Sequence, residues 1–354
     1  MEPVVIDGAF GEGGGQILRT SISLAALTGR PLQIYNIRAK RSKPGLHAQH
    51  LTSVRAAAAL CNAALQGAEM GSQFLSFSPG PLSSNKEFRF EVGTAGAVCL
   101  VAQTALVPSL YLPADPVKIK IHGGTHVPMA PPTDYLEGVY LPVLRRMGAE
   151  IAFSSSVAGF MPKGGGEAEF SSGGDLTTPL NLLDRGKLVC IRVLITTSQL
   201  PEHVAERGET ALMKDLKGYG VHVKVEKRDL RSAGPGAAVT IIAECEHGIG
   251  GFSTLGERGK PMERVAGDAL KAFQKWFAAD CAVDEHLADQ LVLPCALIPG
   301  ESVWKTSEVT EHLRTVLATV QQFLPIKYDL KTNADGSGIA RVEGVDLKRS
   351  ISRR

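Results

Sequence analysis

One stretch constrains this chain more than any other. The short apolar run Val4-Val5-Ile6 enters Asp7-Gly-Ala-Phe-Gly-Glu-Gly-Gly-Gly-Gln-Ile-Leu-Arg19, a glycine-dense turn that opens a helix near Gly15 or Gln16. A strand–turn–helix start of this kind sets an α/β course. Glycines let backbone N–H groups approach a ligand without a Cβ in the way, and the first helical turn leaves such donors free beside the positive end of its dipole. Arg19 shares the polar side of this helix with Gln16 and Ser23, and Ile17, Leu18, Leu24 and Ala25 supply the apolar side. Arg38, Lys40, Arg41 and Lys43 follow a strand predicted over Leu32 to Ile37, with Gln49 and His50 behind them. The stretch reads as a receptor for a phosphate monoester, with Glu12 in its middle. A carboxylate beside an anion site is repulsive unless a metal lies between them.

Two familiar phosphate loops are excluded. No Gly-Lys-Ser/Thr follows, so this is not a Walker loop, and Gln16 stands where a dinucleotide fingerprint needs its third glycine. At 354 residues with 44% apolar content the chain fills one large domain or two ordinary ones, and two bodies is the better reading. A net charge of +2 and 6% aromatics are too little for coating a nucleic acid or stacking along a strand, so only an end of one would be held. Cys61, Cys99, Cys190, Cys245, Cys281 and Cys295 show no C-x-x-C spacing and read as reduced thiols. With no signal-like N-terminus and no long apolar run, a cytoplasmic protein without membrane contact is expected.

The order strand, glycine turn, helix, strand, helix, two strands recurs. In the first unit a second helix is predicted over Leu46 to about Leu65, with strands at Gln73–Phe77 and Glu87–Val92. Gly93-Thr-Ala-Gly96 then opens a helix (Val98–Tyr111), Val117–Ile121 is a strand, and Pro131-Pro132 start the helix Thr133–Met147. The unit spans about 85 to 90 residues by pattern. A third copy fits at the C-terminus, with a helix over His286–Leu297, a strand near Ser302–Trp304, a helix from about Val309 to Phe323 and two strands. Residues 184–280 differ in texture and read as an inserted smaller α/β domain, punctuated by turns at 233–236 and 248–251 and closed by a helix over Met262–Ala278. The resulting domains are 1–183 (units 1 and 2), 184–280 (insert) and 281–354 (unit 3).

A phosphate receptor invites a nucleophile. The lysine nucleotidyl-transfer pattern K-x-D-G is absent, which turns attention to histidine, whose neutral ring nitrogen attacks phosphorus. His312 lies in the first turns of a helix whose apolar side is Val309, Leu313, Val316, Leu317 and Val320. That position disfavours the imidazolium and leaves a nucleophilic lone pair. A surface histidine on an amphipathic helix fits the same spacing.

Several blocks decide between these. Asp7 to Arg19, Ile37-Arg-Ala-Lys-Arg41 with Pro44-Gly45-Leu46 and Gln49-His50-Leu51, Gly123-Gly-Thr125 with Ala130-Pro-Pro132, and Leu287-Ala-Asp-Gln-Leu-Val-Leu-Pro294 together resemble the RNA 3'-terminal phosphate cyclase family over nearly the whole chain. The resemblance implies an α/β fold of three repeated two-helix/four-strand units forming a large domain, with a small thioredoxin-like insert. It also implies ATP-dependent conversion of an RNA 3'-phosphate to a 2',3'-cyclic phosphodiester. A histidine takes AMP from ATP, AMP passes to the RNA 3'-phosphate, and the adjacent 2'-hydroxyl displaces it, an intramolecular step that gains from proximity.

Carried over residue by residue, the resemblance makes His312 the adenylylated nucleophile and Glu12 the carboxylate linked to a divalent metal, Mg²⁺ or Mn²⁺. Arg19, Arg38, Arg41 and Gln49 match residues holding the RNA terminal phosphate or the triphosphate, the arginines offsetting charge that gathers on phosphorus. Gln103, Pro131, His286, Leu287, Ala288, Asp289 and Gln290 match the adenylate pocket. One departure is that His286 stands where the family carries an aromatic, usually tyrosine. Partners implied are ATP and RNA 3'-phosphate ends, with no obligate protein partner evident. Two rivals are a non-catalytic ribosome-biogenesis relative, against which His312 argues, and an enolpyruvyl transferase, which would need six units.

Overall fold

The computed structural model describes residues 2–347. Strand β1 (Val4–Asp7) leads through the glycine turn to α1 (Gly15–Thr28), β2 (Leu32–Tyr35), α2 (Ala48–Leu60), β3 (Ala64–Gln66) and β4 (Leu75–Ser78). Next come β5 (Glu87–Glu91), α3 (Val98–Ser109), β6 (Val117–Gly123), α4 (Thr133–Tyr135), a π-helical stretch Leu136–Tyr140, α5 (Leu141–Arg146), β7 (Ala149–Ala158) and β8 (Gly166–Gly174). After β9 (Asn181–Leu182) the chain forms β10 (Leu188–Ser198), α6 (Glu202–Leu216), β11 (His222–Asp229), β12 (Arg231–Ser232), β13 (Gly236–Cys245), β14 (Ile249–Leu255) and α7 (Met262–Ala278). It ends with α8 (Glu285–Gln290), α9 (Val292–Ala296), β15 (Gly300–Thr306), α10 (Glu311–Phe323), β16 (Lys327–Thr332) and β17 (Gly338–Gly344). The protein is therefore a mixed α/β structure. Among the described residues no helix is long and apolar enough to cross a membrane.

Three sheets share one topology. Their orders are β1-β2-β4-β3, β5-β6-β8-β7 with β12 added beyond β7, and β9-β15-β17-β16. In each set of four, the first two strands pair parallel and the remaining pairs are antiparallel. A parallel pair needs a crossover, and helices α1, α3 and the α8–α9 pair lie where each first strand must return to its neighbour. One continuous apolar core joins these units through Leu18 and Leu24 of α1, Val54 of α2, Val101 of α3 and Leu317 of α10, all fully buried.

The fourth sheet, β11-β10-β13-β14, packs against α6 and α7 around a core of its own. Alternate residues of β10, namely Ile191, Val193 and Ile195, meet Leu212, Ile241, Phe273 and Trp276 there. Its junction with the rest is part apolar, where Leu194 of β10, Ile242 of β13 and Ile249 of β14 join the main core, and part polar. Buried Asp134 of α4 accepts from Thr196 Oγ1 at 2.8 Å and lies 3.4 Å from Arg228 of β11, which also donates to Glu137 at 2.8 Å.

Four local expectations change. Residues 248–251, expected as a turn, run into β14 because Gly250 and Gly251 make room for a neighbour: a Cβ on Gly250 would lie 3.0 Å from the Trp276 ring and one on Gly251 2.7 Å from Tyr135. The helix expected over His286–Leu297 is two helices, since Pro294 has no N–H to bond back to Gln290. The helix expected to reach Leu65 stops at Leu60, because Asn62 adopts φ +47 and turns the chain into β3. The helix expected as one piece over Thr133–Met147 contains the π-helical turn ending at Tyr140.

Candidate active site

Helix α1 starts uncapped. Gly14 offers no side chain to the free N–H groups and no acidic residue occupies the first turn, so the positive end of the helix faces an open turn. The turn itself depends on glycine: Gly11 and Gly13 both have φ +60, and a Cβ on Gly11 would collide with Thr315 of α10. Cationic groups crowd the same point. A Cβ on Gly14 would be 2.9 Å from Arg41 Nη2, and one on Gly15 would be 2.9 Å from Arg19 Nη1 and in contact with His50. Free N–H groups and guanidinium ends suit an anion, and the Glu12 carboxylate lies against Gly14 among them.

Glu12 bridges the two ends of the chain. Its Oε1 lies 2.9 Å from Arg41 Nη2 and its Oε2 3.0 Å from His312 Nε2. The hydrogen bond from His312 holds the Glu12 carboxyl below its ordinary range, with Arg41 adding to the effect. The same bond raises His312. The sequence expectation, a helix start that lowers His312, is therefore reversed, because a carboxylate at 3.0 Å outweighs the fractional charge of a helix end. His312 Nδ1 is enclosed and has no hydrogen-bond partner.

Beyond His312 a narrow, half-open cleft lies between α1, α3, α8 and α10. Gln16, Arg19, Gln103, Asp289 and Gln290 give it polar surface, together with Thr20, Ser23 and Thr104; Tyr140, Leu293 and Val316 give it apolar surface. Gln16 Nε2 donates to Asp289 Oδ1 at 2.9 Å, while burial pushes the Asp289 carboxyl up. Burial also lowers Arg19 to about 10, with Asp289 and Glu12 opposing, so the guanidinium stays charged at neutral pH. Two buried polar atoms in the lining have no partner, the donor Gln103 Nε2 and the acceptor Gln290 Oε1. Buried polar atoms are normally satisfied, so an unpaired donor and acceptor in one cleft call for a ligand carrying both complements, as a nucleobase does.

The family model described as RNA 3'-terminal phosphate cyclase matches residues 10–330. The chain belongs to the RNA 3'-terminal phosphate cyclase family. A protein of Methylococcus capsulatus with that name is 42% identical over 347 residues, covering 96% of each chain. One of Pyrobaculum neutrophilum, also so named, is 44% identical over 347 residues, covering 97% of this chain and 99% of its own. A third, of Nostoc punctiforme, is 43% identical over 329 residues, covering 90% and 94%.

The residues matched to the cyclase family by sequence divide into three groups here. Glu12, Arg19, Arg41 and His312 converge on the glycine turn, and Gln103, Asp289 and Gln290 line the cleft. Arg38 and Gln49 stand beside these but are engaged elsewhere: Arg38, at φ +54, donates to the carbonyls of Lys43 and Gly45 at 2.8 and 2.9 Å, and Gln49 Oε1 accepts from Ala97 N at 2.9 Å, capping α3. Pro131, His286, Leu287 and Ala288 are outside the cleft lining. Leu287 and Ala288 are core residues that seat α8, and the exposed His286 ring stands edge-on to Tyr135 with centroids 6.5 Å apart. Sequence reasoning missed Thr20, Thr104, Tyr140, Leu293 and Val316. Helical spacing held a signal for two of them, since Val316 is one turn beyond His312 and Leu293 one turn beyond Gln290.

The Glu12–His312 pair makes a pH prediction. Neutral imidazole accumulates only above the raised His312 pKa, so any reaction needing its lone pair switches on late as pH rises. Glu12→Gln removes the negative charge, and the midpoint of the pH–rate profile of a reaction at His312 moves to lower pH. A midpoint that stays in place or rises contradicts this assignment.

Proposed function

We propose that this protein is an enzyme that uses ATP to convert an RNA 3'-terminal phosphate to a 2',3'-cyclic phosphodiester through an AMP adduct on His312. The observation that carries the reading is the position of His312, bonded to Glu12 at the uncapped start of α1 on one side and followed on α10 by Val316 in the cleft on the other. Adenine occupies the cleft, where Gln103 Nε2 and Gln290 Oε1 await partners, and the ribose lies toward Asp289.

Because Nδ1 is enclosed, attack on the α-phosphorus comes from Nε2, whose proton Glu12 is placed to accept. A P–N bond forms, the bond to pyrophosphate breaks, and Arg19 with the α1 N–H groups offsets the charge on the transferring phosphoryl group. The RNA 3'-phosphate then displaces His312 from phosphorus, and the 2'-hydroxyl closes the ring with loss of AMP. Among the described residues no group of three or more His, Cys, Asp and Glu side chains forms a metal cage. Glu12 alone suits a Mg²⁺ or Mn²⁺ ion that completes its shell with phosphate oxygens and water, and such an ion would neutralise triphosphate charge. We also assign residues 1–183 and 281–354, of which 1 and 348–354 lie outside the described residues, to a large domain and 184–280 to an insert, a division supported by the four-stranded sheet and second apolar cluster that the latter forms.

The direct test is intact-mass measurement after exposure to ATP and Mg²⁺, which should show one added AMP, and conversion of a 3'-phosphorylated oligoribonucleotide to its cyclic form. Unmodified protein and unchanged RNA would refute the proposal. Arg41 sits at the rim, with its side chain 38% exposed. It reaches an incoming RNA end more readily than the enclosed nucleotide. Arg41→Ala should cut AMP transfer to RNA by about a hundredfold and AMP attachment to the protein by less than about tenfold. Equal losses in the two half-reactions would remove Arg41 from the RNA side.

A further inference from the structure

Two short, irregular segments wall the cleft, and a single buried pair joins their starts. Tyr140 ends the π-helical stretch that follows Tyr135, and Asp289 and Gln290 end α8, whose N-cap is Asp284. The Tyr135 hydroxyl donates to the Asp284 carboxylate, 2.8 Å from Oδ1 and 3.1 Å from Oδ2. Asp284 Oδ1 also accepts from the backbone N–H of His286 and Leu287, each at 2.9 Å, and Oδ2 accepts from Gly251 N at 3.0 Å. Asp284 is 0% exposed and Tyr135 1%, and neither is in the cleft lining.

Capping α8 does not require this arrangement. A serine satisfies the first N–H groups of a helix at far lower desolvation cost than a buried carboxylate. What the carboxylate adds is reach across the junction: while Oδ1 caps α8 it also holds the opposite wall through Tyr135, and Oδ2 holds β14 through Gly251, which packs against Tyr135 and Val139. The wall it grips is the π-helical one, and π turns are uncommon and cluster at functional sites. We infer that the Tyr135–Asp284 pair is the positioning element that sets the separation between Tyr140 and the Asp289–Gln290 end of α8, and so the fit of the nucleotide. The inference rests on the cleft being the nucleotide site.

Two variants test it. Tyr135→Phe keeps the packed ring and loses the hydroxyl; Asp284→Ser keeps the cap and loses the links to Tyr135 and Gly251. Calorimetric binding of AMP needs no chemistry, and the KM for ATP and the saturating rate of AMP attachment are read alongside it. Both variants should weaken AMP binding and raise the KM by about tenfold, the loss of one or two buried hydrogen bonds. The saturating rate should stay within about twofold, since His312 and Glu12 are on other elements. A lower melting temperature with unchanged AMP affinity and KM would mean a purely structural pair and overturn the inference, and if Asp284→Ser does not fold, Tyr135→Phe decides alone. Wild-type protein that binds AMP but never acquires it covalently would sink the cyclase reading while leaving this inference to the affinity data; wild-type protein that binds no AMP would sink both.

Discussion

His312→Ala protein incubated with α-labelled ATP and Mg²⁺ should acquire no label, and its conversion of 3'-phosphorylated RNA should fall by at least about 10⁴-fold. Alanine removes the imidazole held by Glu12, and the other groups at the glycine turn are poor substitutes: Arg19 and Arg41 are cations, His50 is buried with its Nδ1 accepting from His47 N at 3.2 Å, and the buried Thr315 hydroxyl is a far weaker nucleophile than an imidazole. The side chain is 40% exposed and precedes the buried face of α10, so its loss should leave the fold in place. A thermal melt matching the wild type would establish that. The wild-type adduct should be acid-labile and alkali-stable, as a phosphoramidate is. Labelling that persists in the alanine variant would move the nucleophile elsewhere.

Arg19→Ala should be nearly as damaging, lowering RNA cyclisation on the order of 10² to 10³-fold. Arg19 lies on the polar side of α1 against the start of the helix, and it is more enclosed than Arg41, so water screens it less. Removing it takes a fixed positive charge from the start of α1 and leaves the Asp289 carboxylate with one compensating cation fewer. Arg19→Lys should recover only part of the loss, because an ammonium carries the charge without the planar fork. Rates with a 3'-phosphorylated oligoribonucleotide at saturating ATP are the measurement. An alanine variant within tenfold of wild type would show that the α1 N–H groups and Arg41 suffice.

Much of the architecture can be read along the chain. Helix α7 occupies Met262–Ala278, the span that its pattern predicts, because an apolar residue recurs at each turn from Met262 through Trp276. The strand–turn–helix start is legible because glycine density and an absent cap are local properties. The misread turn at 248–251 shows where local reading stops. Gly250 and Gly251 look like a turn in isolation, and only the Trp276 and Tyr135 rings packed against them explain why glycine is needed in a strand.

The site divides along the same line. Sequence blocks name Glu12 and His312 but give the histidine the lowered basicity of a helix start, since the carboxylate that raises it lies about three hundred residues earlier in the chain. They do not show that Arg38 Nη1 also secures the basic loop and Gln49 Oε1 the start of α3. The sequence by itself determined which segments become helices and strands and where an anion could be held, because periodicity, capping and glycine act over a few residues. Only the tertiary structure decided the protonation of His312, the lining of the cleft and the buried Tyr135–Asp284 link. Those depend on distances of about 3 Å between groups far apart in sequence, and Coulomb and hydrogen-bond energies at that range change steeply with packing.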